Sequence, residues 1–401
     1  MPSPNHAGEF MTGTGQGARV QSVDIVRGAV MVLMAVDHVR VYSGLPPGGP
    51  TPGIFFTRWV THFCAPAFVF LAGTGAFFHL RKLGNAARLS RFLLIRGIWL
   101  ILLELTVIRL AWTFNADFAH YLLAGVIWAI GWSMIVLAGL VRLPLAWVTA
   151  FGLVIVAGHN LLDSRVASLA QTMAESPLAW LAQVLYFGGP IQLFGDGPTL
   201  VVLYSLIPWV GVMALGYAFG AVLVLEPGPL RRACLRIGVG ATVLFLLLRG
   251  LNLYGDPRPW TMQPLPTPLA FLNTTKYPAS LLFLLMTLGP TIALMPALEH
   301  ARGWIVGWLQ VFGRVPLFYY LLHIPLIHSL ALVVSLVRDG RIDPWLFANH
   351  PMLMPPPPEG YPWSLALLYL VFGVAVALLY PACRWYANLK ARSKSVWLSY
   401  L

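Results

Sequence analysis

Apolar residues recur along almost the whole chain in runs of roughly 20, each closed by a polar or Pro/Gly-rich break. Roughly 20 residues is the length at which a helix crosses about 30 Å of hydrocarbon. The runs predict about ten helices, over residues 23–42, 55–78, 92–112, 121–141, 144–159, 200–224, 234–253, 278–298, 314–337 and 363–386. The expected fold is all-α: a polytopic integral membrane helical bundle of about 10 transmembrane helices. No internal repeat, Ser/Gly linker or shift of composition divides it, so residues 23–388 read as one domain between tails 1–22 and 389–401. The first 22 residues are polar and Gly-rich without an apolar core, which reads as a short tail rather than a cleaved signal peptide. The long loops are 160–199, with an apolar stretch at 177–189 suited to the interface, 254–277, and 338–362 with its run of prolines from Pro355 to Pro358.

Composition removes the soluble alternative. Hydrophobic residues make up 58% of the chain and charged ones 10%, with a mean hydropathy of +0.74, against about 25% charged in soluble domains. A net charge of +12 would suit a nucleic-acid partner, but its placement argues against one. Arg19, the 81–91 cluster, Arg142, the 231–236 cluster, Arg302 and the Arg384–Lys394 group fall in alternate loops, while the opposite loops collect Asp117, Asp163, Glu175, Asp196, Asp256, Asp339, Asp343 and Glu359. That alternation follows the positive-inside rule with both termini cytoplasmic. The implied partner is the lipid bilayer, and a homo-oligomer is compatible with the pattern. Three cysteines, Cys64, Cys234 and Cys383, have neither CxxC nor Cys/His spacing and read as helix-packing thiols.

Ionisable groups inside or at the mouths of the apolar runs carry the candidate chemistry, because each is costly in hydrocarbon without a partner or a wet cavity. They are Asp24, Arg27, Asp37, His38, Arg40, Arg58, His62, Glu104, Arg314 and His323. In the first helix, steps of 4, 3 and 4 place Arg27, Met31, Met34 and His38 on one stripe about 16 Å long. Asp37 lies about 100° from His38 but three residues from Arg40, so Asp37 and Arg40 can pair; Asp24 with Arg27 and Asp37 with Arg40 read equally well as ion pairs at the helix ends. His62 falls at a depth matching His38, so both can meet in one outward cavity, or His62 can simply bond a neighbouring carbonyl. His323 and His328 are five apart, about 140° around the helix, which disfavours a shared metal. Arg314 suits either a phosphate grip or a snorkelling anchor, and Glu104 is expected to pair with Arg109 or Arg96. The 216–220 Gly-xxx-Gly element reads as a close helix contact.

The segments RVQSVDIVRGAVMVLMAVDHVR, TRWVTHFCAPAFVFLAGTGAFF, IPWVGVMALGYAFG, FLNTTKYPASLLFLLMTLGP and FGRVPLFYYLLHIPLIH, between residues 19 and 328, resemble the bacterial branch of the heparan-α-glucosaminide N-acetyltransferase catalytic-domain family, among the transmembrane acyltransferases. The resemblance implies a multi-pass protein of the bacterial inner membrane that takes an acetyl group from cytosolic acetyl-CoA and places it on a sugar or glycan amine or hydroxyl at the other face. Eukaryotic members are associated with a histidine in the first outer loop. Residues 43–53 hold none, so the base moves to His38 or His62. The expected catalytic set is His38 as base or acyl carrier, Asp37 as electrostatic support, and His62 as second base or oxyanion donor. Arg27, Arg314 and His323 are expected beside the donor, and Arg40, Arg58, Asn273 and Lys276 beside the acceptor, with no metal. A transporter or flippase for an envelope glycan or lipid-linked intermediate, with the same charges as a proton relay, is the rival reading, and a non-catalytic envelope partner is the third.

Overall fold

A computed structural model describes residues 20–48, 51–174 and 176–393. Arg19, Lys394 and most of both expected tails lie outside these residues. The helices are α1 (Gln21–Tyr42), α2 (Pro52–Trp59), α3 (Cys64–Leu83), α4 (Ala86–Leu103), α5 (Arg109–Thr113), α6 (Val126–Leu140), α7 (Leu145–Gly158), α8 (Val166–Ala174), α9 (Ala179–Ala182) and α10 (Leu206–Phe219). There follow α11 (Pro227–Leu251), α12 (Thr267–Leu272), α13 (Leu281–Glu299), α14 (Trp304–Arg314), α15 (Pro316–Asp339) and α16 (Leu365–Arg392). Among the described residues six helical segments are long and apolar enough to cross a membrane: Pro52–Leu83, Leu145–Asp163, Pro227–Leu251, Leu281–Glu299, Pro316–Asp339 and Leu365–Arg392. Val126–Leu140 and Leu206–Phe219 are apolar but shorter. This is a mostly helical membrane protein.

Two expected spans do not begin as helices. Residues 121–124 and 199–202 form strands β1 (Tyr121–Ala124) and β3 (Thr199–Val202), paired in parallel, with β2 (Gly189–Gln192) antiparallel on the far side of β3. Tyr-Leu-Leu-Ala and Thr-Leu-Val-Val are short apolar runs, and apolarity alone does not separate a buried strand from a helix turn. The ninth expected span is preceded by a separate helix, α14. Pro316 forces the break, since the residue before a proline is pushed out of the helical region, and Val315 sits at φ −134°, ψ 51°.

Helix α1 is central, packed against α3, α13, α14, α15 and α16. Glycines set its closest crossing. A Cβ on Gly28 would lie 1.9 Å from the Leu309 carbonyl oxygen, and one on Gly313 would lie 1.9 Å from that of Asp24. The α3–α10 crossing repeats the device at Gly73 and Gly216, as the Gly-xxx-Gly spacing predicts. At its start α1 is pinned by Glu299, whose carboxylate accepts from the backbone N–H of Gln21 and Ser22. Carboxylates are favoured at that end of a helix.

Candidate active site: two cavities back to back

Two cavities enter the bundle along α1 from opposite ends, the outer named for lying towards the C-terminus of that helix and the inner towards its N-terminus. The outer one, about 380 Å³, is lined on α1 by Met34, Asp37, His38 and Arg40, and it also takes in Arg58, Glu104, Lys276 and the 351–357 loop. The inner one, about 520 Å³, is lined on α1 by Arg27 and Met31, with His79, Arg96, Arg314 and Lys390 around it. The predicted stripe Arg27, Met31, Met34, His38 therefore runs from one cavity into the other. Phe68 of α3 and Tyr320 of α15 line both cavities, so these two aromatic residues stand between them.

His38 sits beside this partition, and its partner is not the one the sequence suggests. Nδ1 of His38 lies 2.6 Å from Nε2 of His323, the rings stacked at 4.8 Å between centroids. His62 is buried, lines neither cavity, packs edge-on to Phe283 and has no partner at either ring nitrogen. His323 is fully buried and also lines neither cavity. Its Nδ1 faces the Tyr320 carbonyl oxygen at 2.7 Å and that of Tyr319 at 3.2 Å.

Those carbonyls fix the protons. A carbonyl only accepts, so Nδ1 of His323 carries the hydrogen and its Nε2, in the neutral ring, holds the lone pair. Nδ1 of His38 must then donate to it. That leaves Nε2 of His38 unprotonated on a residue that lines the outer cavity. Trp112, edge-on at 4.8 Å, and Tyr320, edge-on at 6.5 Å, hold the ring's remaining sides.

The charges around His38 divide into committed and uncommitted. Asp37 accepts from Nε of Arg40 at 2.8 Å, the pairing their spacing predicts, and Arg40 also donates to the Leu45 carbonyl. Glu104 is unlike its expectation: neither Arg109 nor Arg96 is its hydrogen-bond partner. Its Oε2 accepts from the backbone N–H of Ile127 and Trp128, at 2.8 and 3.1 Å, at the start of α6, while Oε1 is buried without a partner. Glu104 opens a π-helical stretch, 104–108, a local form frequent at functional sites. A Cβ on Gly125 would come within 2.6 Å of Oε1, so only glycine admits the carboxylate there. Arg109 turns instead to the carbonyls of Asn115, Asp117 and Tyr121. Sequence offers no signal for a carboxylate whose partners are backbone amides.

The residues expected beside the acceptor also separate. Arg40, Arg58 and Lys276 line the outer cavity, whereas Asn273 lines neither cavity and donates to Gln263. Of the residues expected beside the donor, Arg27 and Arg314 line the inner cavity, and Arg27 donates to the Leu71 carbonyl. Arg96, Lys390 and His79, from three further helical positions, complete a wall without a carboxylate among its described residues.

A family model described as heparan-alpha-glucosaminide N-acetyltransferase, catalytic, matches residues 19–253, more than half of the chain. The chain belongs to that family. No curated protein matches it. Family membership implies an acetyltransferase-type enzyme of a membrane. The matched region supplies His38, Arg27, Arg96 and Glu104, while Lys276, Arg314 and Tyr320, which complete the same two cavities, lie beyond it, as does His323, the partner behind His38.

Proposed function

We propose that the protein takes an acetyl group from cytosolic acetyl-CoA at the inner cavity and delivers it to an amine or hydroxyl of a sugar or glycan in the outer cavity. The observation that supports it is the shared wall at Phe68 and Tyr320, with a histidine beside it whose Nε2 is free to take a proton. The donor's phosphates suit the inner cavity, whose charged lining groups among the described residues, Arg27, Arg96, Arg314 and Lys390, are all cationic, guanidinium being matched in shape to phosphate. The acceptor nucleophile attacks the thioester carbonyl and His38 Nε2 removes its proton as the new bond forms; the carbon–sulfur bond then breaks, and the departing coenzyme thiolate takes that proton from His38. His323 is a positioning residue that holds the His38 tautomer through Tyr320. In this reading the bundle spans the bacterial inner membrane ten times, with both termini and the inner cavity on the cytoplasmic side.

Purified protein in nanodiscs, given acetyl-CoA labelled in its acetyl group together with glycan acceptors, tests the chemistry. Label is expected on the acceptor or on the protein. Vesicles that accumulate solute without any transfer of label would instead establish the transporter. For orientation, cysteines at Gly48 and Pro356 should react with an impermeant maleimide in intact cells while one at Ala86 stays unlabelled; the reverse pattern inverts the topology.

A further inference from the structure

The outer cavity holds three cations, Arg40, Arg58 and Lys276, and its Asp37 carboxylate pairs directly with Arg40 while reaching the other two only through longer-range attraction; the fold goes to some length to keep one of those two in place. Arg40 is committed to Asp37. Among the described residues neither the Lys276 ammonium nor the Arg58 guanidinium has a hydrogen bond or an ion pair, although Lys276 is only 7% exposed and Arg58 half-buried. The ammonium stands over the face of Tyr277, 5.2 Å from the ring centre. Removing a cation from water without a counter-charge is costly.

Lys276 does not arrive there on a loose loop. Arg249, fully buried at the end of α11, donates to the carbonyls of Phe271, Arg258, Ala270 and Asn273. The Asp256 carboxylate accepts from the Thr275 backbone N–H at 2.7 Å and from the hydroxyls of Thr275 and Ser280. Asn160 takes the Leu281 N–H, and His159 bonds the Ala279 carbonyl. All but the Arg258 contact grip the segment 270–281 by its backbone or short hydroxyls. Lys276 and Tyr277 are the side chains it presents to the cavity.

We propose that Lys276 and Arg58 form an oxyanion subsite, and that the acceptor sugar carries a phosphate or carboxylate which they neutralise while its nucleophile faces His38. This rests on the acyl-transfer reading, whose own test is labelled transfer from acetyl-CoA. A bound oxyanion would place the acceptor by its charge, and recover the desolvation cost of two cations only when the charged group is present.

Binding of glucosamine, glucosamine 6-phosphate and inorganic phosphate to the full chain in phosphatidylcholine nanodiscs, read by quenching of tryptophan fluorescence, tests it; Trp112 and Trp345 line the cavity. Glucosamine 6-phosphate should bind at least tenfold more tightly than glucosamine, with the difference shrinking as salt rises. Lys276→Met and Arg58→Gln should each remove most of that preference, and Lys276→Arg should keep it, while coenzyme A binding at the inner cavity stays unchanged in all three. Equal or undetectable binding of the two sugars overturns the proposal, as does a preference that survives Lys276→Met. Loss of the signal when phosphatidylglycerol replaces phosphatidylcholine would give the subsite to a lipid headgroup and overturn the sugar assignment. Because coenzyme A binding is followed separately, failure here is distinguishable from failure of the acyl-transfer reading.

Discussion

The outer and inner cavities are carved from opposite ends of the same helices, α1 and α3, and share Tyr320 of α15, yet they are built by different means. In the outer one three functional groups are held by partners from elsewhere in the chain: His38 by His323, 285 residues away, Glu104 by the amides of α6, Lys276 by a segment tied to Arg249 and Asp256. The inner one is an array of cations of one sign, drawn from several helix ends. Orienting a proton at one atom requires fixed geometry; attracting a polyanion requires only charge at roughly the right place. The outer cavity should therefore fail sharply when a single atom is changed, and the inner one by degrees.

Replacing His38 by alanine puts that contrast to its hardest test. Loss of a base typically costs about 10²- to 10⁴-fold in rate, so kcat should collapse while coenzyme A binding persists; activity within about threefold of the parent would remove His38 from the reaction. His323→Ala should act on the same step from behind. Without an acceptor for Nδ1–H, His38 loses its set tautomer, and kcat should drop roughly 10- to 100-fold, less than for removal of the base itself, with the KM for acetyl-CoA unmoved. A change confined to KM would return His323 to the donor side, where the sequence placed it.

The inner cavity should yield more gently. Lys in place of Arg27 or Arg314 keeps the charge but loses the fork, and each change should raise the apparent KM for acetyl-CoA about tenfold, or about 1.4 kcal/mol. Unchanged values would make both arginines plain anchors. A pair of glycines compares the two ends at the scale of one methyl group. At Gly125 a Cβ would press within 2.6 Å of Glu104 Oε1, whereas at Gly75 it would meet an Arg27 guanidinium nitrogen at 3.2 Å. Gly125→Ala should cost about 1–3 kcal/mol of stability and depress kcat, since the carboxylate must shift from the α6 amides. Gly75→Ala should be felt only as a small rise in KM, because the far end of a flexible side chain gives way.

Smallest of all is an effect of acid on the outer end. Burial holds His350, in the loop over the outer cavity, down to about 4, against about 6.5 when unfolded. The unfolded chain thus binds the extra proton between those values, and the stability linked to a neutral His350 is present above about pH 6.5 and lost as pH falls towards 4. Labelling of a cysteine at Pro356 should speed up over that window, and His350→Gln should flatten the dependence.

These contrasts also explain what the sequence could convey. Runs of about 20 apolar residues marked the helices because length is dictated by the bilayer, and the Arg27–His38 stripe was legible because helical periodicity is local. The Asp37–Arg40 pair followed for the same reason. What escaped was long-range or backbone-borne: the stacking of His38 on His323 rather than a meeting with His62, the capping of α6 by Glu104, the diversion of Asn273 into loop scaffolding, and the strands at 121–124 and 199–202, whose pairing crosses some 75 residues. Nothing in a residue's identity says that its partner is an amide.

The shared wall formed by Phe68 and Tyr320 has an electrical consequence. In the proposed orientation, a wet cavity on each side brings both bulk potentials towards those two rings, so the membrane voltage drops over a shorter distance than about 30 Å of lipid. A charge carried across would feel nearly the full field, about 2.3 kcal/mol per 100 mV. An acetyl group that leaves a thiolate behind carries the equivalent of one positive charge, and the proton that His38 returns to the thiolate carries one the other way, so the acyl step moves no net charge through that field, and its rate should be indifferent to whether the cell is energised.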